Sequence, residues 1–173
     1  MTGTTYKVPP IPLDEAHTTY VDAGPLRIGV EYRLLDDAEL AANYEGDEMV
    51  EIQDALNGAD VQDNGASIHI LGREDGHEYL RFDLFEQGPH YHYIDLGGEE
   101  QTIVDYDRVA LGEMLPWALV QLRDRIVPML EHAGGEKLAS AVEAHAAQLH
   151  ASLPEVERLV KAAQAELANA KGE

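Results

Sequence analysis

Two histidines separated by a single residue are the clearest sign of chemistry in the sequence. His90 and His92 lie in the stretch GPHYHY, within a region where apolar and polar residues alternate. On a β-strand, residues i and i+2 point to the same side of the sheet, so both imidazoles can converge. Two imidazoles and one carboxylate form a ligand set that suits Fe(II), Mn(II) or Zn(II) and leaves coordination positions open. The pair therefore predicts a site for a divalent metal ion.

Two aspartates on the neighbouring strands are the candidates for the carboxylate ligand. Glycine-containing turns on either side of the histidine strand predict that Asp83 lies directly opposite His92 and that His90 lies directly opposite Asp105. The Cβ atoms of directly opposed residues are about 4.5–5.5 Å apart. The predicted metal ligands are therefore His90, His92, Asp83 and Asp105.

The strands that carry these residues form the most regular part of the sequence. Period-two alternation, interrupted by turn signals, predicts an antiparallel meander with strands over about 66–72, 78–86, 89–96 and 99–107. The first turn is predicted to be a three-residue loop between Arg73 and His77, which places Ile68 opposite Phe82. One face of this sheet is polar and carries the candidate metal ligands. The other face is apolar and carries Ile68, Ile70, Leu80, Phe82, Leu84, Tyr91, Tyr93, Val104 and Tyr106.

The remaining elements indicate an α+β fold. Residues 26–35 are rich in β-branched and large apolar side chains, which predicts a further strand. The C-terminal region is rich in alanine and leucine and predicts three helices, over about 116–132, 136–150 and from about 152 onward. The predicted fold is an antiparallel β-meander sheet of four or five strands with one face covered by the C-terminal helices.

The chain divides into an arm and one domain. Residues 1–25 contain Pro9, Pro10 and Pro12 and are predicted to form an extended N-terminal arm. Residues 26–173 are predicted to form a single α+β domain, with a sheet region over about 26–107 and a helical region over about 108–170.

Composition excludes several classes of function. The chain has 12 Lys and Arg against 33 Asp and Glu, a net charge of −21, which repels nucleic acids and anionic membranes. There is no cysteine, so disulfides, thiolate metal sites and a cysteine nucleophile are excluded. Apolar stretches are far shorter than the roughly 18 residues that a membrane span needs. The first residues lack an apolar signal core, so we expect a cytoplasmic protein without nucleic-acid or membrane partners.

Two classes of function fit these observations. The first is a small acidic protein that binds a metal ion or a small ligand on the polar sheet face, or a small metalloenzyme that uses this site. The second is a non-catalytic interaction or accessory protein, because histidine–aspartate pairs also stabilise exposed sheets and polar interfaces. The alanine-rich C-terminal helices suggest a homo-oligomer or a protein partner. No phosphate-binding loop or dinucleotide fingerprint is present, so no nucleotide cofactor is expected.

Overall fold

The structure, a computed structural model, describes residues 3–171, so the first two and last two residues of the predicted arm and domain lie outside it. The strands are Thr4–Tyr6 (β1), Thr18–Ala23 (β2), Leu26–Asp36 (β3), Gln62–Gly72 (β4), Glu78–Phe85 (β5), His90–Ile94 (β6) and Gln101–Asp105 (β7). The helices are Asp37–Asn43 (α1), Gly46–Ala55 (α2), Arg108–Leu111 (α3), Met114–Asp124 (α4), Ile126–His132 (α5), Glu136–Ala144 (α6) and Ala146–Lys171 (α7).

The fold is α+β, as predicted, but its antiparallel sheet has seven strands, in the order β1-β7-β6-β5-β4-β3-β2. The prediction of four or five strands was wrong because both edge strands lie in the segment that was interpreted as an extended arm. Strand β2 pairs with β3 through a tight turn, in which Gly24 has a φ of 64°. Strand β1 pairs with β7 at the opposite edge.

The central register is confirmed in two of its three hairpins. Ile68 pairs with Phe82 in β4 and β5, and His90 pairs with Asp105 in β6 and β7. In the middle hairpin the prediction that Asp83 lies opposite His92 is wrong, because Asp83 pairs with His90. The reason is that the pairing of β5 with β6 is centred between Glu86 and Gln87, one residue earlier than the predicted centre between Gln87 and Gly88. Moving the centre by one residue shifts the register by two and leaves every side chain on its predicted face.

A bulge alters the start of β5. The pairing of β4 with β5 shifts after Ile70, so that Leu71 pairs with Glu78 and the predicted three-residue loop after Arg73 does not form. Such an extra residue changes which face the following side chain points to. Tyr79 accordingly lies in the apolar core. Glu78 turns to the polar face, where it contacts polar side chains.

The helical boundaries differ from those predicted. The first long helix is divided into α4 and α5 at Arg125, so that Pro128 lies in the first turn of α5, where a proline is tolerated. The second helix ends at Ala144, earlier than expected, and α7 continues through Pro154. Across residues 3–171, none of the helices has both the length and the apolarity that a bilayer span requires.

Both faces of the sheet are covered. The apolar face packs against the C-terminal helices, where the Trp117 ring contacts Phe82, Tyr91 and Tyr106. The polar face lies beneath α1, α2 and the N-terminal segment, which together form a second, smaller hydrophobic cluster. Its buried members are Val8, Ile11, Leu40 and Tyr44.

Candidate metal centre

Three side chains of the polar face converge on one point. The Nε2 atom of His92 lies 2.8 Å from the Oδ2 atom of Asp83, and the Nε2 atom of His90 lies 3.2 Å from the same oxygen. One ligand atom from each residue lies within 4.8 Å of the others. Asp83 and His92 are buried, and the His90 side chain is 18% exposed. The structure therefore brings together three of the four predicted ligands.

The other nitrogen of each ring is held by an oxygen atom. The Nδ1 atom of His90 lies 2.6 Å from the carbonyl oxygen of Gly88, and the Nδ1 atom of His92 lies 2.8 Å from the Oε1 atom of Gln101. A carbonyl oxygen can only accept, so Nδ1 of His90 carries the proton. The second oxygen of Asp83 accepts a short hydrogen bond from the Ser67 hydroxyl. Metal-binding histidines and carboxylates are characteristically oriented in this way.

The pKa values of Asp83, His90 and His92 are shifted by burial and by their mutual contacts. Burial alone would raise the pKa of Asp83, but hydrogen bonds from His90 and His92 outweigh it and hold the pKa well below its usual value. Burial opposes a charge on His90, yet the hydrogen bond to Asp83 raises its pKa. For His92, burial dominates and lowers the pKa, assisted by the charge of His90. Burial and the charge of His90 therefore disfavour simultaneous protonation of both Nε2 atoms.

The loop before β6 positions His90. Asp63 on β4 accepts hydrogen bonds from the backbone N–H of Gln87 at 3.1 Å and of Gly88 at 2.7 Å. The carbonyl of Gly88 in turn accepts from the His90 ring. Asp63 thus orients His90 through the loop. The sequence does not indicate this role for Asp63, because the contact joins residues that are more than twenty positions apart.

A cavity of about 350 Å³ lies directly beside the three side chains. Its polar floor comes from the sheet and includes His90, His92 and Asp83. Its apolar wall comes from α1, α2 and the N-terminal segment, including Ile11 and Ile52. An ion at the centre would therefore have a partly open, ligand-sized cavity next to it.

The fourth predicted ligand lies nearby. Asp105 is opposite His90 in the sheet and lines the same cavity, but it is exposed and stands outside the group of three converging ligand atoms. His69, a polar-face histidine two strands from β6, belongs to a different network.

That second network is buried beside the first. The Nε2 atom of His69 lies 2.7 Å from Glu31, and its Nδ1 atom lies 2.6 Å from Glu78. Glu78 also accepts two hydrogen bonds of 2.8 Å from Arg81. The sequence indicates neither glutamate, because no turn signal defines the pairing of the strand that carries Glu31, and the bulge moves Glu78 to the polar face. Arg33 and Glu31 lie 3.6 Å apart and extend the network.

The fold and the site define a small α+β protein with a buried Asp–His–His group beneath a helical cover. Residues 20–160 match the model of a family described as a domain of unknown function, DUF7700. This match spans most of the chain, and the protein belongs to that family. Searches of curated proteins and of solved structures returned no match.

Proposed function

We propose that this protein binds a divalent transition-metal ion through Asp83, His90 and His92, and holds a small ligand at the open position of that ion. The observation that carries the proposal is the convergence of both Nε2 atoms on one carboxylate oxygen, while each Nδ1 atom lies against an oxygen. With Nδ1 protonated, each Nε2 atom can direct a lone pair at a metal ion.

The spacing of the ligand atoms supports this proposal. A tetrahedral zinc ion with bonds of about 2.0–2.1 Å holds its ligand atoms roughly 3.4 Å apart. The Nε2–Oδ2 distances of 2.8 and 3.2 Å are close to that value, so small side-chain movements would admit an ion. Three protein ligands leave a fourth position for water or a ligand, as in catalytic metal sites. Fe(II) and Mn(II) accept the same ligand types.

The charge of the group supports it as well. Two histidine nitrogens beside one carboxylate oxygen need positive charge between them, which either two protons or one divalent cation can supply. The lowered pKa of His92 disfavours the second proton. A divalent ion satisfies all three groups at once and leaves the hydrogen bonds of Gln101 and Gly88 unchanged.

Elemental mass spectrometry on protein purified without a histidine tag tests the proposal. The parent protein is compared with His90→Ala/His92→Ala and with a matched control, His145→Ala/His150→Ala, which removes two exposed histidines of the helical region. Each protein is then reconstituted with Fe(II), Mn(II) and Zn(II) in turn. Thermal unfolding of the metal-free forms checks that the variants are folded.

Near-stoichiometric metal in the parent and the control, with loss in the site variant, is the expected result. Equal metal content in all three proteins, or no binding by the parent after reconstitution, would overturn the proposal. A metal-loaded parent would then be assayed for hydrolytic and oxygen-dependent reactions, which decides between a metalloenzyme and a binding protein.

A second function, a homo-oligomer that associates through its C-terminal helices, stays a proposal. Helix α7 leaves several alanines exposed, among them Ala162 and Ala165, and small side chains permit close helix approach. Light scattering on a concentration series tests it: a dimer mass that Ala162→Glu/Ala165→Glu reduces to the monomer supports association. A monomer mass at all concentrations rejects it.

A further inference from the structure

Two arginines are buried at the floor of the cavity beside the metal centre. Arg81 is 1% exposed and Arg33 is 6% exposed, and both line the cavity. Arginine is almost never buried to this degree unless it is paired. A buried guanidinium that faces a ligand-sized space is a recognition group for carboxylates, because its planar donors match the two carboxylate oxygens.

Arg81 retains hydrogen-bonding capacity after its contacts within the protein. Its Nε and Nη2 atoms each donate to one oxygen of Glu78, at 2.8 Å. Two of the five N–H donors of an arginine are used in this way, and three can bind a further acceptor. Arg33 has a different role: it donates to the carbonyl oxygens of Ile11 and Pro12 and fastens the N-terminal segment over the cavity.

Arg81 is also adjacent to the metal centre. It is the cross-strand partner of His92, so the two side chains leave neighbouring points of the same sheet face. The Cβ atoms of such a pair are about 4.5–5.5 Å apart. One small ligand can therefore contact the guanidinium and the open position of an ion together.

The opposite wall of the cavity is apolar. Ile52 on α2 and Leu40 on α1 line it, together with Ile11 of the N-terminal segment. A cavity of about 350 Å³ is at the low end of the range for ligand sites, roughly 300–1,000 Å³. Its occupant is therefore small, with one polar end and one apolar end.

We propose that the cavity binds a small organic acid, whose carboxylate pairs with Arg81, whose apolar body packs against α2, and whose second oxygen donor reaches the metal ion. The metal contact rests on the proposed function, whereas the contacts with Arg81 and α2 do not. The aspartates that line the cavity do not oppose this ligand: His90, His92 and Ser67 contact Asp83, the loop amides satisfy Asp63, and Asp105 is exposed.

Three small molecules distinguish the proposed contact with Arg81 from the proposed contact with the metal ion. 2-Hydroxy-4-methylpentanoate carries all of the proposed groups, its primary amide lacks the carboxylate charge, and 4-methylpentanoate lacks the hydroxyl. Isothermal titration calorimetry, supported by saturation-transfer NMR, measures their binding to the metal-free and the Zn(II)-loaded protein. The amide is expected to bind at least about tenfold more weakly than the acid. Zn(II) is expected to strengthen binding of the hydroxy acid more than binding of 4-methylpentanoate.

Two variants place the ligand. Ile52→Trp fills the cavity without touching a metal ligand, and it is expected to abolish acid binding while Zn(II) affinity stays within about threefold of the parent. Val50→Trp is the matched control, since Val50 lies on the same helix and is 55% exposed. Arg81→Lys keeps the charge opposite Glu78 but loses the planar donors, and roughly tenfold weaker acid binding is expected. Thermal unfolding checks the fold of each variant.

The outcomes distinguish this inference from the metal proposal. Acid binding to the metal-free protein that Ile52→Trp removes, without any Zn(II) binding, would leave the acid site in place and reject the metal function. Zn(II) binding without any acid binding would reject the acid site alone. An amide that binds as tightly as the acid, or an Ile52→Trp protein that binds it unchanged, would also overturn the inference.

Discussion

His92 is paired across the sheet with Arg81, yet its Nε2 atom lies 2.8 Å from the Oδ2 atom of Asp83, two residues further along the neighbouring strand. The imidazole therefore reaches diagonally to the carboxylate, while His90 approaches the same oxygen from the directly opposed position. This geometry makes one carboxylate serve two histidines. It also makes Asp83 the residue on which the whole centre depends.

Replacing Asp83 with asparagine is therefore expected to weaken Zn(II) binding by at least about a hundredfold, because the amide keeps the shape but loses the ligand charge. Asp105→Asn is the matched control, since Asp105 lines the same cavity but is exposed and outside the ligand group. We expect it to bind Zn(II) within about threefold of the parent. Competition with a colorimetric zinc chelator measures both. Equal losses in the two variants would contradict the assigned ligand set.

Removing the Asp63 carboxylate should loosen His90 without touching the metal ligands. Asp63→Ala frees the amides of Gln87 and Gly88, and with them the carbonyl that orients the ring. Loss of such an orienting contact typically costs about 10–100-fold in metal affinity. The absorption spectrum of the Co(II)-loaded protein should change as well, since it reports coordination geometry. Asp60→Ala, which removes an exposed aspartate nearby, should leave affinity and spectrum unchanged.

His69 should stabilise the fold most strongly at low pH. Burial opposes its charged form, but hydrogen bonds to Glu31 and Glu78 outweigh burial and raise its pKa above the usual 6.5. Because the folded state holds this proton more tightly, the stabilisation is complete below pH 6.5 and disappears as the pH rises through the pKa of the folded state.

Urea unfolding of the metal-free parent and of His69→Gln, at about pH 6 and about pH 9, measures this effect. The difference in unfolding free energy between the two proteins is expected to be larger at the lower pH. Subtraction of the variant removes the contributions of His90 and His92, which titrate in both proteins. A difference that is constant or grows with pH would show that His69 is buried in its neutral form.

A methyl group at Gly65 should destabilise the sheet. A Cβ there would overlap the carbonyl oxygen of Leu84 and lie 2.9 Å from the Cα of Phe85, so the backbone would have to move. Overpacking of this kind typically costs about 1–3 kcal/mol. In Gly88→Ala the nearest atom is Asp63 Oδ2 at 3.6 Å, an ordinary contact, and a change below about 0.5 kcal/mol is expected. Chemical denaturation compares them, and equal stabilities would contradict the close approach at Gly65.

The sequence predicted the faces of the central sheet better than its edges. Period-two alternation assigned Phe82 and Tyr91 to the apolar face and Asp83, His90 and His92 to the polar face, and the structure agrees. The predicted register of β5 with β6 was wrong by two residues, and a shift of two residues leaves every side chain on the same face of the sheet. The convergence of Asp83, His90 and His92 on one face was therefore predicted even though their exact pairings were not.

The remaining features depend on contacts that alternation does not encode. The bulge at the start of β5 reversed the face of Glu78, which no local pattern indicates. Glu31 meets His69 across a pairing of β3 with β4 whose connection holds two helices and no tight turn. Pro9, Pro10 and Pro12 indicated an extended arm, although the short strands on either side of them are rich in Thr, Tyr and Val, which are common in strands. Their pairing with β7 and β3 could not be inferred from alternation.

Because β1 and β2 lie at opposite edges of the sheet, the chain between them has to cross the full width of the sheet. Seven strands spaced about 4.8 Å apart put these edges roughly 29 Å from each other. The link from Tyr6 to Thr18, which includes a short 3-10 turn at Glu15–His17, can span about 36 Å when extended. The extended link is therefore only slightly longer than the distance that it has to cross. Shortening this link by three residues or more would strip one border of the sheet of its outermost strand and expose a template for chain-to-chain aggregation.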